Sequence, residues 1–167
     1  MREIRIRIIS VGKMKERYYL QAQEEYIKML GRFAQVEVVE LQDEKNMENP
    51  SPAQRQMVLS KEGARIQKAM EGFGYKIVMA IEGQQPDSMA FSKKLEEITL
   101  RASSICIVIG GSFGIDEGIK KKADYLLSLS SMTFPHRLAR IVLLEQLFRG
   151  FKIMNGETCL LYTSRCV

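Results

Sequence analysis

Five short apolar segments recur along the chain, and the spacing of their hydrophobic residues predicts a strand in each. The first alternates isoleucine with arginine, which is typical of a strand near a sheet edge. The third is continuous in apolar residues, which favours a central strand covered on both faces. The predicted strands are residues 4–10, 36–41, 76–81, 105–109 and 125–129.

Stretches with helical spacing follow each strand. They are predicted over residues 15–30, 52–70, 88–102 and 115–123, and a last helix carries Pro135 in its first turn. Strand and helix therefore alternate five times, with neither an internal repeat nor a linker. The sequence predicts a single α/β domain over residues 1–157, with a mainly parallel five-stranded sheet and helices on both faces.

The last predicted helix has an unusually broad apolar stripe, while Arg137, Arg140 and Arg149 lie off it. Two explanations remain open at this point. The helix is buried against both the sheet and a second subunit, or it packs deep in the core of a single chain. The stripe comprises Leu138, Ile141, Val142, Leu144, Leu147, Phe148 and Phe151, widened by Leu143.

Two turns follow the fourth and fifth predicted strands. The first, with Gly110, Gly111 and Gly114, offers bare backbone, and the second, residues 129–134, offers hydroxyls and backbone amides. Because ligands of open α/β sheets bind outside the carboxyl ends of the strands, both turns are predicted to line one pocket. The glycine spacing differs from the dinucleotide fingerprint, and the Gly-Lys-Ser/Thr of a P-loop is absent, so neither a nicotinamide cofactor nor ATP is favoured.

Charge is unevenly distributed along the chain, whose net charge is +5. Residues 1–17 carry six basic and two acidic side chains, and residues 120–167 carry eight basic and three acidic ones, so the middle is acidic. Basic ends around an acidic middle favour a polyanionic partner that touches both ends, with an affinity that falls as salt rises. Solvated faces of a mildly basic protein would explain the same charges.

Composition narrows the class of protein. Hydrophobic residues make up 46% and charged residues 27%, which is typical of a globular domain. The apolar segments are too short to span a bilayer, and charged residues interrupt the N-terminal ones, so we expect a cytoplasmic protein without a signal peptide. The single histidine and the three cysteines, Cys106, Cys159 and Cys166, have no metal-ligand spacing, so no metal site is expected.

The two turns resemble those of a known family. The chain reads Ile-Gly-Gly-x-x-Gly from Ile109 and Leu-Ser-x-Met-Thr-Phe-Pro-His-x-x-x-Arg-x-x-x-x-Glu-Gln from Leu129. Over residues 4–157 it is similar to the RlmH family, SPOUT-class methyltransferases that modify N3 of a pseudouridine in 23S ribosomal RNA. The resemblance implies a homodimer acting on the assembled ribosome. It also implies a C-terminal trefoil knot built from these turns, an exception to the usual absence of knots.

The resemblance also implies a pocket for S-adenosylmethionine. Gly110 would let the adenosine approach the backbone, Met79, Met132 and Phe134 would contact the adenine face, and the backbone of residues 129–134 would read its edge. Without the family, turn-forming glycines and hydroxyl residues would be the simpler explanation. The implied cofactor-binding residues are Met79, Gly110, Leu129, Ser130, Ser131, Met132, Thr133 and Phe134.

His136 and Arg140 are the candidate catalytic residues. The imide nitrogen of the acceptor base is protonated at neutral pH and becomes nucleophilic as that proton leaves, so a base or a stabilising cation would serve. We expect His136 to position or deprotonate the base and Arg140, one helical turn further on, to engage an RNA phosphate or a uracil oxygen. The alternative for His136 is a helix-start residue bonded to backbone.

The chain departs from the family at its C-terminal end. Family members continue from the Gly-Glu seen here at Gly156 and Glu157 into a Tyr-His-Lys type tail that is expected to reach the active site, whereas residues 158–167 are longer and dissimilar. If the tail supplies catalytic groups, this chain would bind cofactor but methylate poorly. A non-catalytic ribosome-binding factor and a SPOUT tRNA methyltransferase are therefore the competing functions.

Overall fold

The protein alternates strand and helix throughout the part of the chain that the computed structural model describes, residues 2–45 and 47–157. The predicted atypical tail, residues 158–167, lies outside the described residues. The elements are β1 (Arg5–Val11), α1 (Arg17–Leu30), β2 (Gln35–Leu41), α2 (Pro52–Met70), β3 (Tyr75–Gln84), α3 (Ser88–Arg101), β4 (Ser104–Ile109), α4 (Glu117–Lys121), β5 (Tyr125–Leu127) and α5 (His136–Met154).

All five strands form one parallel sheet in the order β2-β1-β4-β3-β5. One buried cluster packs α1, α3 and α5 on the first face of the sheet, and a second cluster packs α2 and α4 on the other. The predicted parallel α/β architecture with helices on both faces is confirmed. After β1 and β3 the chain turns to the face that α1 and α3 cover, whereas after β4, which lies between them, it turns to the other face. Such a reversal opens a crevice at the carboxyl end of β4.

β1 is the second strand of the sheet, beside the edge strand β2, so the prediction of a strand near the sheet edge is confirmed. The strand pairs with β2 on one side and with β4 on the other. Arg7 is partly covered, because its guanidinium stacks 4.8 Å from the centroid of the Phe73 ring and its Nε donates to Glu37 at 2.8 Å. Of the two alternating arginines, Arg7 therefore lies under partner side chains, whereas Arg5 is exposed.

Coverage along β3 is uneven. Ile77 and Val78 are completely buried between β4 and β5, whereas Ile81 is 82% exposed. The strand extends beyond its predicted end to Gln84 across an irregularity opposite Leu127. The prediction of coverage on both faces therefore holds for the first half of β3 only, and the second half projects from the sheet at the carboxyl edge.

α2 begins as its sequence predicts. Ser51 Oγ accepts a hydrogen bond from the Gln54 N–H at 3.1 Å, and the Ser51 N–H donates to Gln54 Oε1 at 2.8 Å, which closes a capping box ahead of Pro52. Met57 is 57% exposed. The helix packs on the sheet through Val58, Glu62, Ile66 and Met70, a row in which a carboxylate occupies one core position.

α5 packs in the core along one row of side chains. Leu143, Leu144 and Leu147 are completely buried, and the Gly150 carbonyl accepts a hydrogen bond from Ser92 Oγ of α3 at 2.7 Å. Ile141, Val142 and Phe148 are only partly buried. The broad stripe thus has one row in the core and a second row that remains partly exposed to solvent in the single chain. Within the described residues, no helix is both long and apolar enough to cross a membrane.

Candidate functional site

A cavity of about 830 Å³ lies at the carboxyl edge of the sheet, beside the crevice at the end of β4. It is lined mainly by residues 79–82 at the end of β3, 109–115 after β4, and 127–130 and 132–136 after β5. Gln56 and Leu59 of α2 and Glu117 and Lys120 of α4 complete its wall. The two turns that the sequence singled out therefore share one cavity, as predicted.

The glycine turn is closed by its own backbone. The Gly114 N–H donates to the Gly111 carbonyl at 3.0 Å, and Gly114 has a φ of +86°, a conformation that side chains disfavour. A Cβ on Gly110 would lie 2.5 Å from the Gly114 carbonyl oxygen. We expected glycine at position 110 because a ligand approaches the backbone closely. The structure gives a different reason, which is that the backbone of the turn itself approaches Gly110.

The polar turn is held by a backbone hydrogen bond to β3 and by a side-chain hydrogen bond within itself. The Ser128 N–H donates to the Gln84 carbonyl at 2.8 Å, and Ser130 Oγ accepts from the Met132 N–H at 3.0 Å. Among the residues that the structure describes, the backbone N–H groups of Leu129, Ser131 and Thr133 donate no hydrogen bond. These amides are the groups available to read the edge of a heterocyclic base.

Seven of the eight predicted cofactor-binding residues line the cavity. Ser131 is the exception, since its exposed side chain is not part of the wall. Met132 is 73% exposed at the mouth, whereas Phe134 is half-buried. The seven lining residues are Met79, Gly110, Leu129, Ser130, Met132, Thr133 and Phe134.

His136 is the first residue of α5 and part of the cavity wall. Burial of its ring, with further contributions from Arg137 and Arg140, lowers the pKa of His136, while Asp43 and Glu16 act in the opposite direction. Because the ordinary pKa is about 6.5, the imidazole is neutral at pH 7. A neutral histidine at this place can accept a proton.

Arg140 does not face the cavity. It is 1% exposed, and its guanidinium donates to Ser10 Oγ at 2.8 Å, to Glu40 Oε2 at 2.9 Å and to Gln23 Oε1 at 3.0 Å. The arginine thus joins α5 to β1, β2 and α1. The expected contact with an RNA phosphate does not suit this placement, because the guanidinium is already enclosed by three partners.

Sequence reasoning missed two carboxylates beside the site. Asp43 follows β2 directly, and the rule that ligands bind at the carboxyl ends of strands would have found it. Glu62 lies in the middle of α2 and gave no comparable signal. A Cβ on Gly111 would lie 3.3 Å from Glu62 Oε1, so this carboxylate lies directly behind the glycine turn.

Opposite charges also meet at the cavity wall. Lys120 Nζ lies 2.7 Å from Glu82 Oε1 and 3.3 Å from Glu117 Oε1, and the hydrogen bond from Lys120 lowers the pKa of Glu82. These three residues tie α4 to the projecting end of β3. Over residues 2–45 and 47–157, no group of three or more His, Cys, Asp or Glu side chains is placed to hold a metal ion.

Comparison with known proteins identifies the family. A family model described as predicted SPOUT methyltransferase matches residues 4–158. The chain is 48% identical over 153 residues to the ribosomal RNA large subunit methyltransferase H of Leuconostoc citreum (strain KM20), covering 91% of this chain and 96% of that protein. It is 46% identical over 155 residues to the protein of the same name from Streptococcus thermophilus (strain CNRZ 1066), covering 92% and 98%.

A solved structure gives the same fold. The chain is similar to a probable methyltransferase from Bordetella pertussis Tohama I with a TM-score of 0.55 and 13% sequence identity, covering 88% of this chain and 94% of that one. Such a low identity supports the fold alone. The family match and the two relatives span nearly the whole described chain, and on these grounds the chain belongs to the SPOUT methyltransferase family.

Proposed function

We propose that the chain methylates 23S ribosomal RNA, at N3 of a pseudouridine in the assembled ribosome, with S-adenosylmethionine as the methyl donor. The observation that carries the proposal is the single cavity shared by the glycine turn and the polar turn, with His136 in its wall. The similarity to proteins named ribosomal RNA large subunit methyltransferase H supports the class of substrate. A ribosomal substrate would place the reaction in the cytoplasm.

The cavity suits S-adenosylmethionine. Leu129, Met79 and Phe134 offer apolar contact to an adenine ring, and the unpaired amides of residues 129, 131 and 133 offer donors to its edge. The volume of about 830 Å³ is ample for a nucleoside with an amino acid attached. When bound, this cofactor supplies a methyl group activated by its sulfonium charge, so the residues have mainly to hold donor and acceptor in line.

His136 is the group that would prepare the acceptor. Its neutral imidazole can take the proton of the imide N3–H, which leaves the nitrogen electron pair free for the methyl group. Arg140 acts from behind as a positioning residue, because its three hydrogen bonds fix the first turn of α5 and hence the place of His136.

Transfer of labelled methyl groups tests the reaction. We expect label in 23S RNA when assembled ribosomes are the substrate, with less in free RNA and none in tRNA, and a loss of about 10²-fold or more for His136→Ala. Label in tRNA alone would support the SPOUT tRNA methyltransferase instead. Ribosome binding without any transfer would support the non-catalytic factor.

Cofactor binding has its own test, calorimetry with S-adenosylmethionine. Gly110→Trp is expected to abolish binding, because even a Cβ would overlap the Gly114 carbonyl. Gly118→Ala in α4 is the matched control, since a Cβ there would meet Asp116 at 3.4 Å, an ordinary contact. Equal binding by both variants would contradict the proposed pocket, and near-ultraviolet circular dichroism would report any loss of fold in Gly110→Trp.

A homodimer and a trefoil knot complete the proposal for a single domain over residues 1–157. The partly exposed row of α5, with Ile141, Val142 and Phe148, supports a dimer. Val142→Lys is expected to lower the sedimentation coefficient to that of a monomer, whereas Leu100→Lys, at a site that is 79% exposed on α3, would leave it unchanged. An unchanged coefficient for Val142→Lys would contradict this interface.

The knot rests on the course of residues 128–135. Ser128 is hydrogen-bonded to Gln84 at the end of β3 and to Gln85 just after it, and the chain then starts α5 beside Gly12, which follows β1. Pulling the chain from its two ends would test the threading. A knotted chain is expected to extend less than an unknotted chain of equal length, and full extension would contradict the knot.

A further inference from the structure

Gly12 leaves a hollow next to the candidate site. Its φ of +97° suits glycine, and its N–H donates to the Leu41 carbonyl at 2.8 Å, so the ends of β1 and β2 are fixed together. A Cβ at this position would lie 3.9 Å from Asp43 Oδ2 and 3.9 Å from His136 Nε2. The carboxylate and the imidazole therefore border the same small space, which we call the Gly12 hollow.

The backbone on both sides of Asp43 is clamped by α2. Arg65 donates to the Gln42 carbonyl at 2.9 Å and to Glu44 Oε1 at 2.6 Å, and the Glu44 N–H donates to Glu62 Oε2 at 3.1 Å. None of these bonds uses the carboxylate of Asp43. The anchor thus fixes the loop and leaves the Asp43 side chain for the Gly12 hollow.

The charges around His136 are otherwise compensated. Arg137 on the same helix pairs with Glu16 of the loop before α1, and Arg140 pairs with Glu40 at the end of β2. Asp43 is the remaining charged group that acts on the imidazole, and within the described residues it has no ion pair. Its charge is therefore free to act on His136.

We infer that Asp43 is a positioning residue for His136 and holds its imidazole with Nε2 toward the Gly12 hollow. This inference rests on the proposed function. A carboxylate that borders the same space as Nε2 favours, through its negative charge, the tautomer that carries its proton there, so Nδ1 keeps the lone pair. The N3–H bond of the acceptor base then breaks, its proton goes to Nδ1, and the electron pair left on N3 takes the methyl group from the sulfonium of S-adenosylmethionine.

The test uses the fact that the chain has only one histidine. The pKa of His136 can thus be measured without assignment, by NMR of the imidazole C–H signals in the full chain. Asp43→Asn is expected to lower this pKa by about half a pH unit, the size typical of an exposed carboxylate. High salt should reduce the difference from the unsubstituted protein, because Asp43 is exposed.

Methyl transfer measured against pH gives the second readout. The acid limb of kcat/KM is expected to move to lower pH by the same amount in Asp43→Asn, and the plateau to fall by about threefold to tenfold as orientation is lost. Glu48→Gln is the matched control, since it removes one exposed negative charge from the same loop and should change neither value.

Three outcomes would overturn the inference. They are an unchanged His136 pKa in Asp43→Asn, an equal change in Glu48→Gln, and a changed pKa with an unmoved acid limb. Absence of transfer by the unsubstituted protein would instead contradict the proposed function. The NMR measurement would still report whether Asp43 acts on His136.

Discussion

Glu62 is a charged residue buried in the core of the protein. It occupies a core position of α2, is 4% exposed, and has one oxygen, Oε1, without a hydrogen-bond partner among the described residues. Burial raises the pKa of Glu62, and the nearby Asp43 adds to this, although the Glu44 N–H opposes it. A carboxylate in such a place lowers stability when it is ionised, and the hydrogen bond that Glu62 Oε2 accepts from the Glu44 N–H offsets only part of this cost.

Glu62→Gln is therefore expected to stabilise the protein at neutral pH. A carboxyl group whose pKa is raised in the folded state loses stability as pH rises from its ordinary value of about 4.5 through the folded value. Substitution by the neutral amide should add on the order of 1 kcal/mol to the free energy of unfolding at pH 7 and little at pH 4.5. Urea denaturation at both pH values measures this.

The matched control for that measurement is Glu24→Gln, at an exposed position of α1, where we expect no pH-dependent difference. If Glu62→Gln destabilised the protein equally at both pH values, the carboxylate would contribute through its hydrogen bond to Glu44 and not through its charge.

At the scale of elements, Arg140 is the residue that joins most of them. Its substitution by leucine is expected to lower the free energy of unfolding by about 2–3 kcal/mol, because Glu40, Gln23 and Ser10 all lose a charged donor in a buried place. Urea denaturation of Arg140→Leu measures the cost. Arg32→Leu is the control, since Arg32 is 55% exposed in its pair with Glu157 and should cost less than about 1 kcal/mol. Equal costs would contradict the joining role.

The same arginine shows how far the sequence could predict this fold. Periodicity predicted every strand and the bounds of α2, because those depend on neighbours along the chain. It placed Arg140 off the apolar stripe of α5 and did not show that this arginine is buried, since the partners that enclose it come from other elements. The site divides in the same way: the two turns were visible as sequence motifs, whereas Asp43 and His136 come to the same glycine, Gly12, only through folding.

At the scale of the whole molecule, exposed positive charge lies near the cavity. Lys13, Lys15 and Arg17 follow β1 at the carboxyl edge of the sheet, are exposed, and have no ion pair among the described residues. Arg5 and Arg7, at the amino end of the same strand, are paired with Glu37. The basic character of residues 1–17 is therefore available for RNA at the edge that also carries Gly12 and His136.

Reversing two of these charges is expected to weaken substrate binding without altering the chemistry. In Lys13→Glu/Lys15→Glu, the KM for ribosomes should rise about tenfold or more, kcat should change less than about twofold, and the slope of log affinity against log salt should fall by about 2, as for the loss of two phosphate contacts. Binding of S-adenosylmethionine should be unchanged. Filter binding over a salt series and steady-state methyl transfer measure these quantities.

The control reverses two exposed charges at the opposite edge of the sheet, Lys68 and Arg101, which lie in the last turns of α2 and α3. If RNA meets the carboxyl edge, Lys68→Glu/Arg101→Glu keeps a KM near that of the unsubstituted protein, because both helices run back from this edge and Coulomb interactions in water are screened within about 10 Å. If both double variants weakened binding equally, net charge alone would attract the ribosome, and the segment after β1 would have no part in docking it.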